Sequence, residues 1–127
     1  MSYGFSTTTT LGYDAAVERV TEELKKEGFG VLTTIDVKDT LKKKLDVDFR
    51  RYVILGACNP PFAHKALQAE EEIGLLLPCN VIVYEKEGKT AVAAFDPMAM
   101  TKLLDNPAML PIAREIEARL RRVIAAL

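Results

Sequence analysis

Two apolar runs flank a short polar loop near the middle of the chain, and this pattern constrains the fold most strongly. Residues 75–85 and 90–95 read as strands, the first of them interrupted early by Pro78. The loop between them, residues 85–89, contains Gly88, which can adopt the positive φ of a tight hairpin turn. A hairpin joins antiparallel neighbours, so we expect a sheet that is at least partly antiparallel.

Further strands are predicted upstream of the hairpin. The β-branched run Thr7–Thr10 favours an opening strand within residues 2–11, and residues 29–35 alternate between apolar and polar side chains. Residues 52–57 are almost continuously apolar, which is typical of a central strand covered locally on both faces.

Helices are predicted between and after these strands. The first begins near Asp14 and ends at Gly28, because Val17, Val20 and Leu24 recur at helical spacing. A short helix follows Asp36, and another is expected from the Pro60-Pro61 pair to about residue 73. Asp96-Pro97 and Asn106-Pro107 have the form of helix starts, with an Asx cap before proline. The last helix reaches the C-terminus with a buried stripe that includes Ile112, Ile116, Leu120 and Val123.

The predicted order is β-α-β-(α)-β-α-β-β-α within a single domain of residues 1–127. Long helices do not alternate strictly with the strands, and one connection is a hairpin. We therefore predict an α+β fold with one mainly antiparallel sheet and its helices gathered on one face. The other face would be open, and such a face often serves as an oligomer interface or a binding surface.

Composition excludes several classes of function. The net charge of −1 gives no overall field that would attract nucleic acid or an anionic membrane. No apolar run approaches the roughly 18 residues of a membrane span, and the N-terminus lacks the pattern of a signal peptide. We expect a cytoplasmic protein whose two cysteines are thiols rather than a disulfide.

Both cysteines lie in similar short segments. One reads Gly-Ala-Cys-Asn-Pro-Pro over residues 56–61, and the other Leu-Pro-Cys-Asn-Val over residues 77–81. Cys58 ends a predicted strand, and Cys79 begins the next long one. If those strands are antiparallel neighbours, the cysteines meet although twenty-one positions separate them. Asn59 would cap the helix that starts at Pro60, leaving Cys58 beside a helix N-terminus, where a thiolate is favoured.

Four interpretations of the two segments stay open. Both cysteines can be small buried side chains with structural Asn caps, since free cysteine is commonly buried. Cys58 can be an activated nucleophile or form a redox pair with Cys79. Cys58, Cys79 and His64 can bind a soft ion such as zinc or copper(I), with Met98 or Met100 as a further ligand. Finally, these residues can simply line a ligand pocket.

The two segments, extended to residues 52–60 and 77–85, resemble the signature stretches of the domain of unknown function family 302. The order of elements and the Asp96-Pro97 pair after the last strand extend the resemblance over most of the chain. It implies a fold like that of the TATA-binding protein, with one curved antiparallel sheet and two main helices on one face, often found as a homodimer. It implies no activity, substrate or cofactor, and kinship of fold with a DNA binder transfers no function.

We therefore predict a homodimeric ligand-binding or accessory module with its site near the two Cys-Asn segments. The predicted ligand-binding residues are Cys58, Asn59, Pro60, Cys79, Asn80 and Asp96. Asp96 is more convincing as a helix cap than as an acid catalyst. The alternative is a thiol-dependent or soft-metal-dependent enzyme that uses Cys58 and Cys79, and no cofactor is indicated.

Overall fold

The structure, a computed structural model, describes residues 2–127. Five strands and five α-helices follow one another along these residues: β1 (Gly4–Thr9), α1 (Tyr13–Lys26), β2 (Gly30–Asp36), α2 (Val37–Leu45), β3 (Tyr52–Cys58), α3 (Pro60–Ala69), β4 (Cys79–Lys86), β5 (Lys89–Phe95), α4 (Pro97–Thr101) and α5 (Met109–Ala125). A 3₁₀ turn, Glu71–Leu76, connects α3 to β4. None of the helices in residues 2–127 is both long enough and apolar enough to cross a bilayer.

All five strands form one antiparallel sheet, in the spatial order β1-β5-β4-β3-β2. The predicted α+β fold with a mainly antiparallel sheet is confirmed. The hairpin between β4 and β5 turns at Glu87 and Gly88, which both have positive φ, as this kind of two-residue turn requires. The two cysteine-bearing strands, β3 and β4, are direct neighbours within the sheet.

The main core lies between one face of the sheet and the helices α1 and α5. Inward side chains of α1, including Ala16, Val20 and Leu24, are completely buried. Alternate residues of β3 and β4, such as Leu55 and Val83, meet them from the sheet. The helical period of 3.6 and the strand period of 2 thus bring their apolar sides together.

A smaller apolar cluster lies beside this core and joins the remaining helices. It contains Ala66 of α3, Ile73 of the 3₁₀ turn, Met100 of α4 and Met109 of α5. All four residues are buried. This cluster holds α3 and α4 against the start of α5, next to the sheet end where the two cysteines lie.

The opposite sheet face carries an aromatic patch, defined here as Tyr3, Phe49, Tyr52 and Tyr84. Tyr52 and Tyr84 are register partners on β3 and β4, and their rings stack with centroids 5.1 Å apart. Tyr3 is 63% exposed. The groove at these rings is lined by strand and loop residues and by none from a helix of residues 2–127. This face of the sheet is therefore open there, as the sequence predicts.

Three boundaries differ from the sequence-based expectation. Helix α3 ends at Ala69, and residues 71–76 form the 3₁₀ turn rather than its last turn or the start of a strand. Strand β4 begins only at Cys79, because Pro78 has no N–H for the ladder. Helix α5 begins at Met109, although the Asn106 side chain still accepts a hydrogen bond from the N–H of Ala108.

Candidate functional site

The two Cys-Asn segments meet at one end of the sheet. Ala57 of β3 is the register partner of Cys79 of β4, and Cys58 is the next residue along β3. Cys58 in turn pairs with Gly30 of β2. The predicted juxtaposition of the cysteines is therefore correct, and it follows from antiparallel pairing of the strands that carry them. Both are free thiols.

A cavity of about 290 Å³ opens beside these thiols, and we call it the sheet-end cavity. Its walls come from the ends of β2, β3 and β4 and from α3, α4 and α5. The side chains that line it are almost entirely apolar, and they include Phe29, Phe62, Ala66, Met100, Met109 and Ile116. The other lining residues include Cys58, Asn59 and Cys79, which carry two thiols and an amide. No charged side chain of residues 2–127 lines the cavity.

The thiol of Cys79 is held in its neutral form. Burial raises its pKa from 9.0 to about 11, and the nearby thiol of Cys58 contributes in the same direction. A thiol with this pKa is almost fully protonated at neutral pH. Cys79 therefore presents a polarisable, weakly hydrogen-bonding group to the cavity rather than a thiolate.

Asn59 occupies the N-cap position of α3, with Pro60 as the first helical residue, as predicted. Its side chain, however, makes no capping hydrogen bond, so the predicted cap by the Asn59 amide is wrong. Instead, Nδ2 donates to the main-chain oxygen of Glu27 at 3.3 Å. Asn59 makes this tertiary hydrogen bond instead of a capping bond because the turn after α1, with Gly28 at a φ of +86°, brings the Glu27 carbonyl next to its amide.

The same carbonyl receives a second donor. Nη1 of Arg119 donates to the Glu27 oxygen at 2.8 Å, and Nε of Arg119 pairs with Glu115 at 3.0 Å. The guanidinium also lies over the ring of Phe62, 5.2 Å from its centroid. Because Phe62 lines the cavity, Arg119 of α5 braces both the turn after α1 and one cavity wall.

The cavity wall does not include Pro60, Asn80 or His64. Pro60 is exposed at the first position of α3. Asn80 follows Cys79 on β4, and strand alternation places it on the opposite sheet face, near Tyr52. His64 is exposed on α3 and does not contribute to the cavity wall, so the structure does not bring it to the two thiols.

Asp96 serves as a helix cap. Its carboxylate accepts a hydrogen bond of 2.9 Å from the N–H of Met98 and so begins α4. Asp96 itself does not line the cavity, but Pro97 and Met100 do. Of the two methionines considered as metal ligands, only Met100 therefore reaches the site.

Sequence reasoning missed most of the wall. Phe62, Ala66 and Met109 carry no chemical signature, and their spacing is that of ordinary core residues. Met109 is fully buried, as a core residue would be. The residue types that line an apolar cavity are the same as those that fill a core. Only the positions of the helices therefore decide whether these side chains leave a cavity or pack without one.

A metal site of ordinary type is not formed by the part of the chain described. Residues 2–127 contain no group of three or more His, Cys, Asp or Glu side chains placed to hold an ion. Met100 and Met109, however, line the same cavity as Cys58 and Cys79. Sulfur ligands of this kind suit soft ions such as copper(I).

The fold and the site together define a small α+β protein with a one-sided antiparallel sheet and an apolar cavity at the sheet end. The chain belongs to the DUF302 family, a domain of unknown function whose model matches residues 5–127. A crystal structure of an uncharacterized conserved DUF302 protein from Bacillus stearothermophilus is similar, with 33% identity and a TM-score of 0.92. The alignment covers 99% of this chain and 98% of that one. No curated protein matches the sequence.

Proposed function

We propose that this protein is a ligand-binding or accessory module that takes a small, largely apolar molecule into the sheet-end cavity. The observation that supports this is the lining, which combines a volume of about 290 Å³ with no charged side chain among the described residues. An engineered apolar cavity of about 150 Å³ in another protein binds benzene, so the volume here is enough for a ligand of about two fused rings.

The energetic basis is burial of the ligand's apolar surface. Such a molecule leaves water and gains dispersion contacts with Phe29, Phe62, Ile116 and the two methionines. Pockets of this composition derive most of their affinity from apolar contact and their specificity from a few polar groups.

The test uses the methionine methyl groups as reporters. Protein labelled with ¹³C at the methionine methyls is titrated with naphthalene and followed by NMR. Met100 and Met109 line the cavity and Met98 does not, so the first two signals should shift while that of Met98 stays in place. Absence of any shift up to the solubility limit of naphthalene would overturn the proposal.

A pair of variants locates the binding. Ala113 is buried in the cavity wall on α5, whereas Ala125 is exposed near the end of the same helix. Ala113→Leu should fill part of the cavity and weaken naphthalene binding at least severalfold. Ala125→Leu is the matched control and should bind as the wild type does. Equal binding by both variants would place the ligand elsewhere.

We further propose that two copies of the chain associate through the aromatic patch in a reducing, cytoplasmic environment. The patch presents large aromatic side chains in a groove of the sheet face that no helix residue of the range 2–127 lines. The net charge of −1 imposes little repulsion between two copies. The two unpaired cysteines are in keeping with a reducing compartment.

A soft metal ion is the second candidate ligand, supported by the two cysteines and two methionines among the residues that line one cavity. Copper(I) would displace the protons of the thiols as it binds, and the raised pKa of Cys79 adds to the free energy that the copper–sulfur bonds must supply. Titration with copper(I) against a chromophoric competitor tests this. Binding that is lost in a Cys58→Ser/Cys79→Ser variant would support it, and identical competition curves for the two proteins would exclude it.

A thiol-dependent enzyme receives less support. A nucleophile must be a thiolate, and the raised pKa of Cys79 keeps that group protonated. Cys58 would then have to act alone. Alkylation of Cys58 at pH 6 no faster than that of a free thiol would remove this alternative.

A further inference from the structure

We infer that the sheet-end cavity selects neutral ligands that carry one hydrogen-bond donor, a phenol-like hydroxyl or ring N–H on an apolar body, and that Oδ1 of Asn59 accepts this hydrogen bond. The inference rests on the proposed function and extends it to a ligand class and a specificity residue. Asn59 is only 5% exposed, and it lines an otherwise apolar wall.

The orientation of the Asn59 amide is determined by the protein. Nδ2 donates to the carbonyl oxygen of Glu27, and that oxygen also accepts from Arg119. Rotation of the amide by half a turn would place Oδ1 against this oxygen and lose the hydrogen bond. The oxygen atom of the amide is therefore the one left for another partner.

Among residues 2–127 no donor lies at hydrogen-bond distance from Oδ1 of Asn59, whose amide bonds only through Nδ2. No fully buried side-chain oxygen or nitrogen in this range lacks a partner, so Oδ1 keeps some accessible surface and can accept from water or from a ligand. A ligand that covers this small surface removes the water and must supply a donor of its own, or the acceptor is left unpaired. A ligand that displaces water without replacing its hydrogen bond loses affinity. The cavity should therefore discriminate between ligands of equal shape that differ in one donor.

The same wall disfavours charged ligands. An ammonium or carboxylate entering the cavity would lose its hydration and meet no counter-charge, because no charged side chain of the described residues lines it. The thiol of Cys79 is neutral, and Arg119 directs its guanidinium at Glu27, Glu115 and the Phe62 ring. A neutral ligand with a single donor matches the uncharged lining and can pair with the Asn59 oxygen.

The experiment compares 2-naphthol with 2-methylnaphthalene, two probes of nearly the same shape. The association constant of each probe for the wild-type protein is measured by NMR titration. The ratio of the two association constants is then compared with the ratio of the two partition coefficients for transfer from water to cyclohexane. If Asn59 supplies an acceptor, the affinity of 2-naphthol relative to 2-methylnaphthalene should exceed the partition ratio by about tenfold or more. A ratio equal to that of partition would overturn the inference, because cyclohexane provides no acceptor.

The variant Asn59→Leu assigns the effect to this residue. It should weaken binding of 2-naphthol by about fivefold or more and leave 2-methylnaphthalene bound as tightly as before or tighter. An unchanged preference for 2-naphthol in a folded Asn59→Leu variant would place the acceptor elsewhere and overturn the assignment. Should this variant fail to fold, the wild-type comparison still decides whether the cavity holds an acceptor.

The outcomes separate this inference from the proposed function. Binding of both probes at their partition ratio would leave the apolar ligand site intact and remove only the acceptor role. Binding of neither probe would overturn the proposed function together with the inference.

Discussion

Thr33 and Gly56 face each other on β2 and β3, and the Thr33 side chain occupies the space that a Cβ at Gly56 would need. The ring of Pro78 closes the same space from the start of β4, with its Cγ 2.9 Å from that Cβ position. The glycine of the first Cys-Asn segment and the proline of the second therefore pack together. This contact helps to hold the two segments at the same end of the sheet.

Gly56→Ala should destabilise the protein by about 1–3 kcal/mol, because the added methyl group clashes with a rigid proline ring as well as with Thr33. Urea unfolding measures the effect. Gly30→Ala is the matched control on the neighbouring strand, since a Cβ there has no atom within 4 Å. The control should leave stability unchanged within about 0.5 kcal/mol or raise it slightly. Equal stability of the two variants would contradict the packing described.

Cys79 should react slowly with alkylating reagents. Burial raises its pKa from 9.0 to about 11, so its thiolate fraction at pH 7.5 is roughly a hundredfold lower than that of a free thiol. Iodoacetamide labelling of a Cys58→Ser variant, followed by mass spectrometry, isolates this residue. The same variant in urea provides the unfolded reference. Equal labelling rates in the folded and unfolded protein would show that the Cys79 thiol is not buried and that its pKa is not raised.

The same pKa shift makes the free energy of unfolding depend on alkaline pH. Below about pH 9 the Cys79 thiol is protonated in both folded and unfolded chains, so its contribution is constant. Between pH 9 and pH 11 the unfolded chain releases this proton while the folded chain keeps it. The free energy of unfolding should therefore fall by about 2 kcal/mol across this range because of Cys79.

The variant Cys79→Ala lacks this titrating thiol, so comparing it with the wild type isolates the contribution of Cys79 to the pH dependence of the free energy of unfolding. Burial also raises the pKa of Tyr13 and Tyr52, so part of the alkaline loss is shared by both proteins. Urea unfolding at several pH values between 8 and 10.5 should give a steeper decline for the wild type than for the variant. Parallel declines would mean that Cys79 has an ordinary pKa in the folded protein.

Arg119→Ala should destabilise the protein by about 1–3 kcal/mol, because it leaves the Glu27 carbonyl with one donor fewer and uncovers Phe62. Arg114→Ala on the same helix is the control, since Arg114 is exposed and makes no ion pair or side-chain hydrogen bond with the described residues. Thermal and urea unfolding of both variants test this. A similar loss of stability in the control would show that helix propensity or net charge determines the result, rather than the contacts of Arg119 with the Glu27 carbonyl and the Phe62 ring.

Association through the aromatic patch predicts a concentration-dependent dimer. Tyr84→Lys places a charge beside Tyr52 at the centre of the patch and should shift the particle toward one chain mass in multi-angle light scattering. Leu103→Lys is the control, because Leu103 is exposed outside the patch. A wild-type protein of one chain mass at micromolar concentration would contradict the proposed dimer.

Local patterns were sufficient to predict most elements of the fold. The hairpin at Gly88, the amphipathic spacing of α1 and the Asp96 cap depend on residues close together in sequence, and each is present in the structure. The predicted start of β4 at residue 75 was less accurate, because Pro78 has no N–H for the sheet and the strand begins only after it, at Cys79. The meeting of Cys58 and Cys79 followed from strand order and antiparallel pairing alone.

The site was predicted only in part because its remaining members share a cavity rather than a sequence signal. Asn59 was expected to cap its own helix, but it bonds to Glu27, thirty-two positions away. Asn80 was grouped with Cys79, but neighbouring residues of a strand point to opposite faces. The sequence therefore identified the two Cys-Asn segments as the location of the site, but it did not predict the directions in which the Asn59 and Asn80 side chains point.

By itself the sequence determined the antiparallel sheet, the one-sided packing of helices and the sheet end at which the cysteines meet. These follow from periodicity, turn chemistry and caps, which act over a few residues. Only the tertiary structure decided that Phe62, Met100 and Met109 enclose a cavity and that Asn59 and Arg119 share one carbonyl oxygen. Such features depend on how helices far apart in sequence pack, and apolar periodicity specifies a buried face without specifying what that face meets.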